Sequence, residues 1–328
     1  MTTYVRGSGT YVPDRVVTNE ELAPVLGVTS ERIVANTGIR ERRWAAPGQF
    51  TSAMAVAALN AALENAQMGP EDIDYLLVGT MTPDRFIPGI APAVRHAAGL
   101  REIPSLDLRA TCCNALYGMD LARALIGSGQ ARHVAICLAE RQSDWLDLSA
   151  ASASVSMLFG DGASALILSA EPGDDRLRVV DVVIGTDGSQ PDSLGVRAPG
   201  DHPRMAGPAV IVNAVRRMSA AVRTLLERHA LSVADVRWIV PHQANANLFD
   251  QLAKSLGVDR ADERVVSVIA EFGNTSSASM GIALDRLRRS GKIQPGDRLV
   301  LPAFGAGFVW GAGLVESWSS GVLESWSK

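Results

Sequence analysis

Residues 62–80, ALENAQMGPEDIDYLLVGT, return in altered form as LLERHALSVADVRWIVPHQ at residues 225–243. Leu63 matches Leu226, Glu64 matches Glu227, Asp72 matches Asp235, Ile73 matches Val236 and Leu76 matches Ile239, a shift of 163 residues. Each copy reads as a helix, a turn and a short apolar strand. A second stretch, LARALIGSGQARHVAICLA, is echoed by ALDRLRRSGKIQPGDRLVLPA, with Ser128-Gly129 matching Ser290-Gly291 at a shift of 162. Helix–loop–strand units share a pattern in any α/β protein, so one echo alone decides little. Two echoes with agreeing shifts argue for a duplication of about half the chain. The expected fold class is therefore α/β, built from two like halves.

The chain is 328 residues long, with 47% hydrophobic and 20% charged residues, enough for one large domain or two similar ones. A formal charge of −4 argues against nucleic-acid binding, which needs a basic excess. MTTYVRGSGTYVP has no apolar leader region, and no run approaches the roughly 20 apolar residues of a membrane span. A cytoplasmic protein that engages no membrane is expected. Three cysteines, two of them adjacent, give neither a disulfide framework nor zinc-ligand spacing, so no metal is expected.

The same shift sets Cys112, in DLRATCCNALYG, opposite Asn274, in FGNTSSASMG. Residues 105–108 read as a strand leading to a helix that begins near Cys112. Residues 265–268 read as a strand leading through Gly273 to a helix that begins near Asn274. Both side chains would then stand at helix N-termini, where unpaired N–H groups and a partial positive charge favour a thiolate and lower a cysteine's pKa. Cys113 points about 100° away around the helix, and Cys137 lies in the apolar strand HVAICLA, so both read as core residues. His242 follows the apolar strand WIVP, at the strand end where α/β folds place their chemistry, and is the expected partner of the nucleophile. FGDGASALIL and AFGAGFVWGAGLV read as strand–turn–strand segments, and neither carries a phosphate-binding pattern. A tight turn there could bring a backbone N–H to the site as an oxyanion donor.

The motifs TGIRERRWAAPGQ (37–49), D-x-x-A-x-C ending at Cys112, FGDGA (159–163), PHQAN (241–245), GNTSSAS (273–279) and AFGAGF (303–308) occur here together and in this order. In this combination the chain resembles the ketoacyl-acyl-carrier-protein synthase III family of the thiolase superfamily, from Tyr4 to about Val315. The resemblance implies a duplicated five-layered α-β-α-β-α thiolase fold, with halves at 1–170 and 171–317 and a tail at 318–328, normally in a homodimer. It implies that Cys112 is acylated by an acyl thioester of CoA or of a phosphopantetheinyl carrier protein. A malonyl thioester on an acyl carrier protein is then decarboxylated, with His242 and Asn274 stabilising the enolate and the N–H groups of Cys112 and Ala306 forming the oxyanion hole. No bound cofactor is implied. Ile87, in PDRFIPG, would reach across the dimer to the acyl pocket, whose wall would include Asn114 and Ala115. Arg32, Asn36, Thr37, Ala153, Ile211, Ala244, Asn245 and Asn247 would line the thioester channel.

Several of these positions depart from the family pattern. Arg32 stands where a tryptophan commonly stacks on adenine, Asn36, Ala153 and Asn247 stand where arginines contact the nucleotide, and Ile211 replaces an aromatic residue. Loss of charge-assisted phosphate contacts favours a carrier-protein donor, or CoA bound by different contacts. Asn114 and Ala115 suggest an unusual acyl group from a specialised pathway. An acidic carrier protein would dock on a basic patch, for which Arg216, Arg217, Arg223 and Lys254 are the candidates. Retention of His242 and Asn274 favours condensation over simple acyl transfer to an alcohol or amine. Retention of Cys112 argues against a silent partner subunit, and the absence of a cysteine after Cys137 argues against a thiolase. GLVESWSS followed by GVLESWSK is a near-duplicate with no assigned role.

Overall fold

The chain runs through two successive series of strands and helices, and the computed structural model describes residues 1–198, 200–259 and 263–318. The first series starts with β1 (Thr3–Tyr11), β2 (Val16–Thr18), α1 (Asn19–Val25), α2 (Ser30–Thr37) and β3 (Glu41–Arg43). It continues through α3 (Thr51–Ala66), β4 (Tyr75–Gly79), α4 (Ala91–Ala97), β5 (Ser105–Leu108), α5 (Asn114–Gly127), β6 (His133–Glu140), α6 (Ala153–Ser156) and β7 (Gly162–Ser169). The second comprises β8 (Leu177–Thr186), β9 (Leu194–Gly195), β10 (Arg204–Met205), α7 (Gly207–Arg228), β11 (Trp238–Ile239), α8 (Ala246–Leu256), α9 (Ile269–Phe272), α10 (Ser279–Arg289), β12 (Arg298–Gly305) and β13 (Val309–Ser317). Residues 319–328, which hold most of the tail, lie outside the described residues.

Nine strands form one hydrogen-bonded run in the order β11-β12-β13-β8-β1-β7-β6-β4-β5. The halves meet where β1 pairs with β8 over only Thr3–Val179, Tyr4–Arg178 and Val5–Leu177. Leu116, Met119 and Ile126 of α5 share one core with Ile282 and Leu284 of α10 and with strands of both halves. The pair α5 and α10 is thus the middle layer. Outside the first-half strands lies α3, whose Ala55, Ala58 and Ala62 let the backbones approach closely. A Cβ on Gly9 of β1 would fall 2.3 Å from the Ala62 nitrogen, so glycine is required there. Helices α7 and α8 cover the other outer face. The layers are α-β-α-β-α.

The duplication is visible in geometry, with one correction of register. In the turns Pro70–Asp72 and Val233–Asp235 the closing aspartate folds back on the residue before the turn, Asp72 accepting from the Gly69 N–H and Asp235 from the Ser232 N–H, both at 2.8 Å. That shared carboxylate cap on a turn N–H is why these two aspartates match. Ser128 and Ser290 end α5 and α10, each followed by a glycine in the left-handed region, with φ of 76° at Gly129 and 66° at Gly291. At their N-termini, however, α5 and α10 follow 3-10 turns at Thr111–Cys113 and Ser276–Ala278, a shift of 165 rather than 162. The cause is length, because α5 has 14 residues and α10 has 11. Cys112 is therefore matched by Ser277, and Asn274 lies about one helical turn upstream.

Residues 265–268 do not form the expected strand. They contribute one isolated bridge, Ile239 to Val265, because the Gln243 side chain takes up their backbone groups, accepting from Val268 N–H at 2.8 Å and donating to Val266 O at 3.1 Å. FGDGA is a loop entering β7, whereas AFGAGFVW is the turn between β12 and β13.

Candidate active site

Cys112, His242 and Asn274 line one cavity of about 410 Å³ at the seam between the halves. Cys112 is half-buried in the 3-10 turn ahead of α5, with its Sγ 3.8 Å from Ser276 Oγ. Thr111 before it has a left-handed backbone, φ 50°, and donates its hydroxyl to Ala306 O at 3.1 Å. A Cβ on Gly305 would lie 2.3 Å from Thr111 Oγ1 and 3.0 Å from the Cys112 nitrogen, so only glycine lets β12 come this close. Among the described residues, neither the Cys112 nor the Ala306 N–H has a backbone partner.

His242 is held at the end of β11 by its own N–H, which donates to Pro302 O at 2.9 Å. Its Nδ1 lies 2.7 Å from Ser279 Oγ, the first residue of α10, which also accepts from the Gln243 N–H at 3.1 Å. With that backbone donor already on the oxygen, the serine hydroxyl proton is directed at Nδ1, which leaves the ring proton on Nε2. Burial pushes the imidazole down to about 4, so it is a neutral donor at pH 7. Asn274 Oδ1 accepts from the Ser276 N–H at 2.8 Å, which turns its NH2 into the donor that remains available. An isolated bridge to Phe159 fixes its backbone, with Asn274 N–H to Leu158 O at 2.8 Å.

The histidine shift has a sign that stability measurements can read. Above pH 6.5 the ring is neutral in both folded and unfolded chains; between there and pH 4 only the unfolded chain takes up the proton. Stability is expected to fall by about 3 kcal/mol as pH drops through that interval, from this group alone. Urea unfolding at pH 7.5 and 4.5 should show a smaller acid loss in His242→Asn than in the parent.

For Cys112, burial overturns the expected lowering. The thiol is pushed up to about 12, first by desolvation and then by the nearby charge of Glu140, with the Ser276 hydroxyl acting in the opposite direction. Glu140, fully buried at the end of β6, was not among the residues picked from the sequence. Four donors converge on its carboxylate: Ser277 Oγ at 2.6 Å, Met81 N–H at 3.1 Å, Thr82 Oγ1 at 3.0 Å and Gln142 Nε2 at 3.3 Å. A lone acid closing the apolar strand HVAICLAE was the available signal. Alkylation of Cys112 by iodoacetamide should rise about tenfold per pH unit through pH 9 instead of levelling near neutrality. Glu140→Gln should raise the rate at each pH by removing the charge. It should also cost about 1–3 kcal/mol of stability, because an amide NH2 then faces donors.

The remaining sequence candidates divide. Ala306, Ile211, Ala244 and Asn245 line the cavity. Asn114 and Ala115 do not: both are buried behind Cys112, where Asn114 Oδ1 accepts from the Ala110 N–H at 2.7 Å and packs against Gly79. They are core residues because they open α5, which faces the middle layer. Ile87 is 91% exposed, and its neighbour Phe86 lines the cavity instead. Arg32, Asn36, Thr37, Ala153 and Asn247 lie off the cavity wall. The Asn245 and Asn247 amides both donate to Asn36 O at 2.9 Å and so tie α8 to α2, whereas Thr37 Oγ1 donates within α2, to Ile33 O at 2.6 Å. In the proposed docking patch Arg216, Arg223 and Lys254 are exposed. Arg217 is instead half-buried, paired with Asp187 at 2.7 Å and stacked over Trp310. Cys113 and Cys137 are core residues. Among the described residues no cluster of side chains could hold a metal, and no helix is long and apolar enough to cross a membrane.

Two like halves closing over a shared helix pair, with a thiol at the seam, define the class of thiolase-like acyl-transfer enzymes. Residues 106–188 match the family model of 3-oxoacyl-(acyl-carrier-protein) synthase III, and residues 226–317 match the model of its C-terminal part. A beta-ketoacyl-(acyl-carrier-protein) synthase III 3 from Streptomyces coelicolor is 41% identical over 322 residues, covering 93% of this chain and 94% of the relative. The structure of 3-oxoacyl-(acyl carrier protein) synthase III from Pseudomonas aeruginosa PAO1 superposes with a TM-score of 0.90 at 34% identity, covering 97% and 99% of the two chains. The priming beta-ketosynthase of the R1128 polyketide pathway gives 0.87 at 37% identity, covering 96% of each. The chain belongs to the 3-oxoacyl-(acyl-carrier-protein) synthase III family and is a condensing acyltransferase of fatty-acid or polyketide biosynthesis.

Proposed function

We propose that the condensation proceeds through acylation of Cys112, and the observation that carries this is the convergence of one thiol, one neutral imidazole and one oriented amide on a single apolar cavity. The donor thioester's carbonyl carbon is attacked by Cys112 sulfur, the donor C–S bond breaks and the thiol proton leaves with the departing thiol. The developing oxyanion is held by the N–H groups of Cys112 and Ala306, neither of which has a backbone partner among the described residues. Because burial keeps the thiol neutral, the positive end of α5 acts on the sulfur as charge develops during attack. A malonyl thioester then loses carbon dioxide, its enolate oxygen accepting from His242 Nε2–H and Asn274 Nδ2–H, and its carbanion attacks the acyl carbon of the acyl-enzyme, the Cys112 S–C bond breaking and the released thiolate taking up a proton from solvent.

The malonyl unit is carried by an acyl carrier protein, and the exposed Arg216, Arg223 and Lys254 are its proposed contacts. Acyl and malonyl thioesters are the substrates. A homodimer is supported by β5, the edge strand of the sheet, which presents Leu106 beside a loop with Phe86 and Ile87 exposed. Ile87 would reach a partner's cavity from there. Residues 1–170 and 171–317 are read as the two duplicated halves, and the cytoplasm as the compartment, where a thiol nucleophile stays reduced.

The test is intact mass and peptide mapping after incubation with matched acyl-CoAs and acyl-carrier proteins, followed by a malonyl carrier protein. The expected result is an adduct on Cys112 that is consumed to give a 3-oxoacyl product and carbon dioxide. An adduct discharged to an alcohol or amine, with no decarboxylation, would overturn the condensation scheme.

A further inference from the structure

The cavity that holds Cys112 is lined mainly by apolar side chains, yet its wall includes two arginines and no aspartate or glutamate among the described residues. One of them, Arg197, is paired with Asp192 at 2.8 Å. The other, Arg109, follows β5 and stands three residues before the nucleophile. Among the described residues it has no hydrogen bond or ion pair to any side chain or carbonyl. Asp107, the acid nearest to it in the chain, and Glu140, which closes β6, are committed elsewhere. Asp107 accepts from the Ile90 and Ala91 N–H groups, at 2.8 and 3.2 Å. Glu140 is enclosed by its four donors.

Arg109 shares the first-half wall with Met81, Thr82, Phe86, Gln142 and Trp145, whereas Ile211, Ala244 and Asn245 come from the second half. The cavity wall around Cys112 therefore combines large apolar surfaces with an exposed cation that has no protein partner among the described residues, and with Thr82 and Gln142, whose side chains are held by Glu140. A plain alkyl acyl chain would gain nothing from that guanidinium and would hinder its solvation. A chain ending in a carboxylate would supply a planar, two-oxygen acceptor that a guanidinium can meet in bidentate fashion.

We propose that the acyl group loaded on Cys112 carries a terminal carboxylate, and that Arg109 is its counter-ion in the cavity. This rests on the acyl-enzyme reading given above. The loading step is otherwise unchanged: the Cys112 S–C bond forms, the donor C–S bond breaks, and the proton passes to the departing thiol.

The test uses acylpantetheines, which have no phosphate, so a loss of phosphate binding cannot imitate the effect. Length-matched pairs are compared, succinyl against butyryl and glutaryl against valeryl, with the rate of Cys112 acylation read by intact mass at low donor concentration. The intact protein is expected to favour the carboxylated member of each pair by about tenfold or more, the lower end for a charge-assisted contact. Arg109→Gln should abolish that preference while leaving the neutral members within about twofold, and Arg109→Lys should restore part of it.

A preference for the neutral members in the intact protein would overturn the proposal, as would equal losses for both members in Arg109→Gln. An Arg109→Gln defect confined to the reaction of a preformed acyl-enzyme with a malonyl thioester would assign the cation to the extender carboxylate, and would also overturn it. In these cases labelling of Cys112 by the neutral donors leaves the acyl-enzyme itself standing. No labelling by any donor would remove that reading and the proposal with it.

Discussion

Cys112→Ala is expected to abolish both the acyl-enzyme and condensation, lowering turnover by about 10⁵-fold or more, the scale of removing a covalent nucleophile. The change removes only a half-buried thiol whose hydrogen bond to Ser276 is long, at 3.8 Å, so the unfolding midpoint should scarcely move. Mass spectrometry of the variant with any acyl donor should show no adduct, and its oligomeric mass should equal that of the parent. Neither Cys113, buried against Val309 O, nor Cys137, inside β6, can stand in for it. Turnover that survived this change, or an adduct mapped to another residue, would refute the covalent mechanism.

Replacing His242 or Asn274 should separate the two half-reactions. His242→Ala removes the Nε2–H donor, while Asn274→Asp keeps the oxygen that accepts from the Ser276 N–H and loses only the NH2 donor. Each is expected to slow decarboxylation of malonyl thioester on a preformed acyl-enzyme by about 10²–10³-fold, the loss measured for a single oxyanion donor. Acylation of Cys112 should stay within about tenfold, because its oxyanion is served by backbone N–H groups. The double variant should lose less than the product of the single effects, since both donors act on one oxygen. Rapid-quench measurement of each half-reaction decides the matter. A defect in acylation that matched the defect in decarboxylation would mean that these side chains serve the nucleophile instead.

Much of the architecture was legible because it was written twice. Asp72 and Asp235 recur since each carboxylate caps the N–H three residues before it, and Ser-Gly recurs since each pair ends a middle-layer helix with a left-handed glycine. The shift taken from those positions was carried too far. A helix shortened by one turn at its N-terminus leaves the spacing intact at its C-terminal cap and wrong at the catalytic end, so Asn274 was paired with Cys112 when Ser277 is its counterpart. Asn274 still reaches the cavity, by a bridge to Phe159 that no periodicity announces.

The sequence by itself determined the α/β elements, the apolar strands and the caps, and it singled out a thiol, an imidazole and an amide that line one cavity, because these depend on local pattern and residue chemistry. Only the tertiary structure decided their ionisation and their surroundings. Burial, which requires every neighbour in space, reversed the expected lowering of the Cys112 pKa and made His242 a neutral donor. Glu140 was brought within electrostatic reach of Cys112 and Arg109 to the cavity wall, while Asn114 and Ala115 were turned into the core. A helix N-terminus can be read from a few consecutive residues; the dielectric around it is set by chain segments more than a hundred residues away.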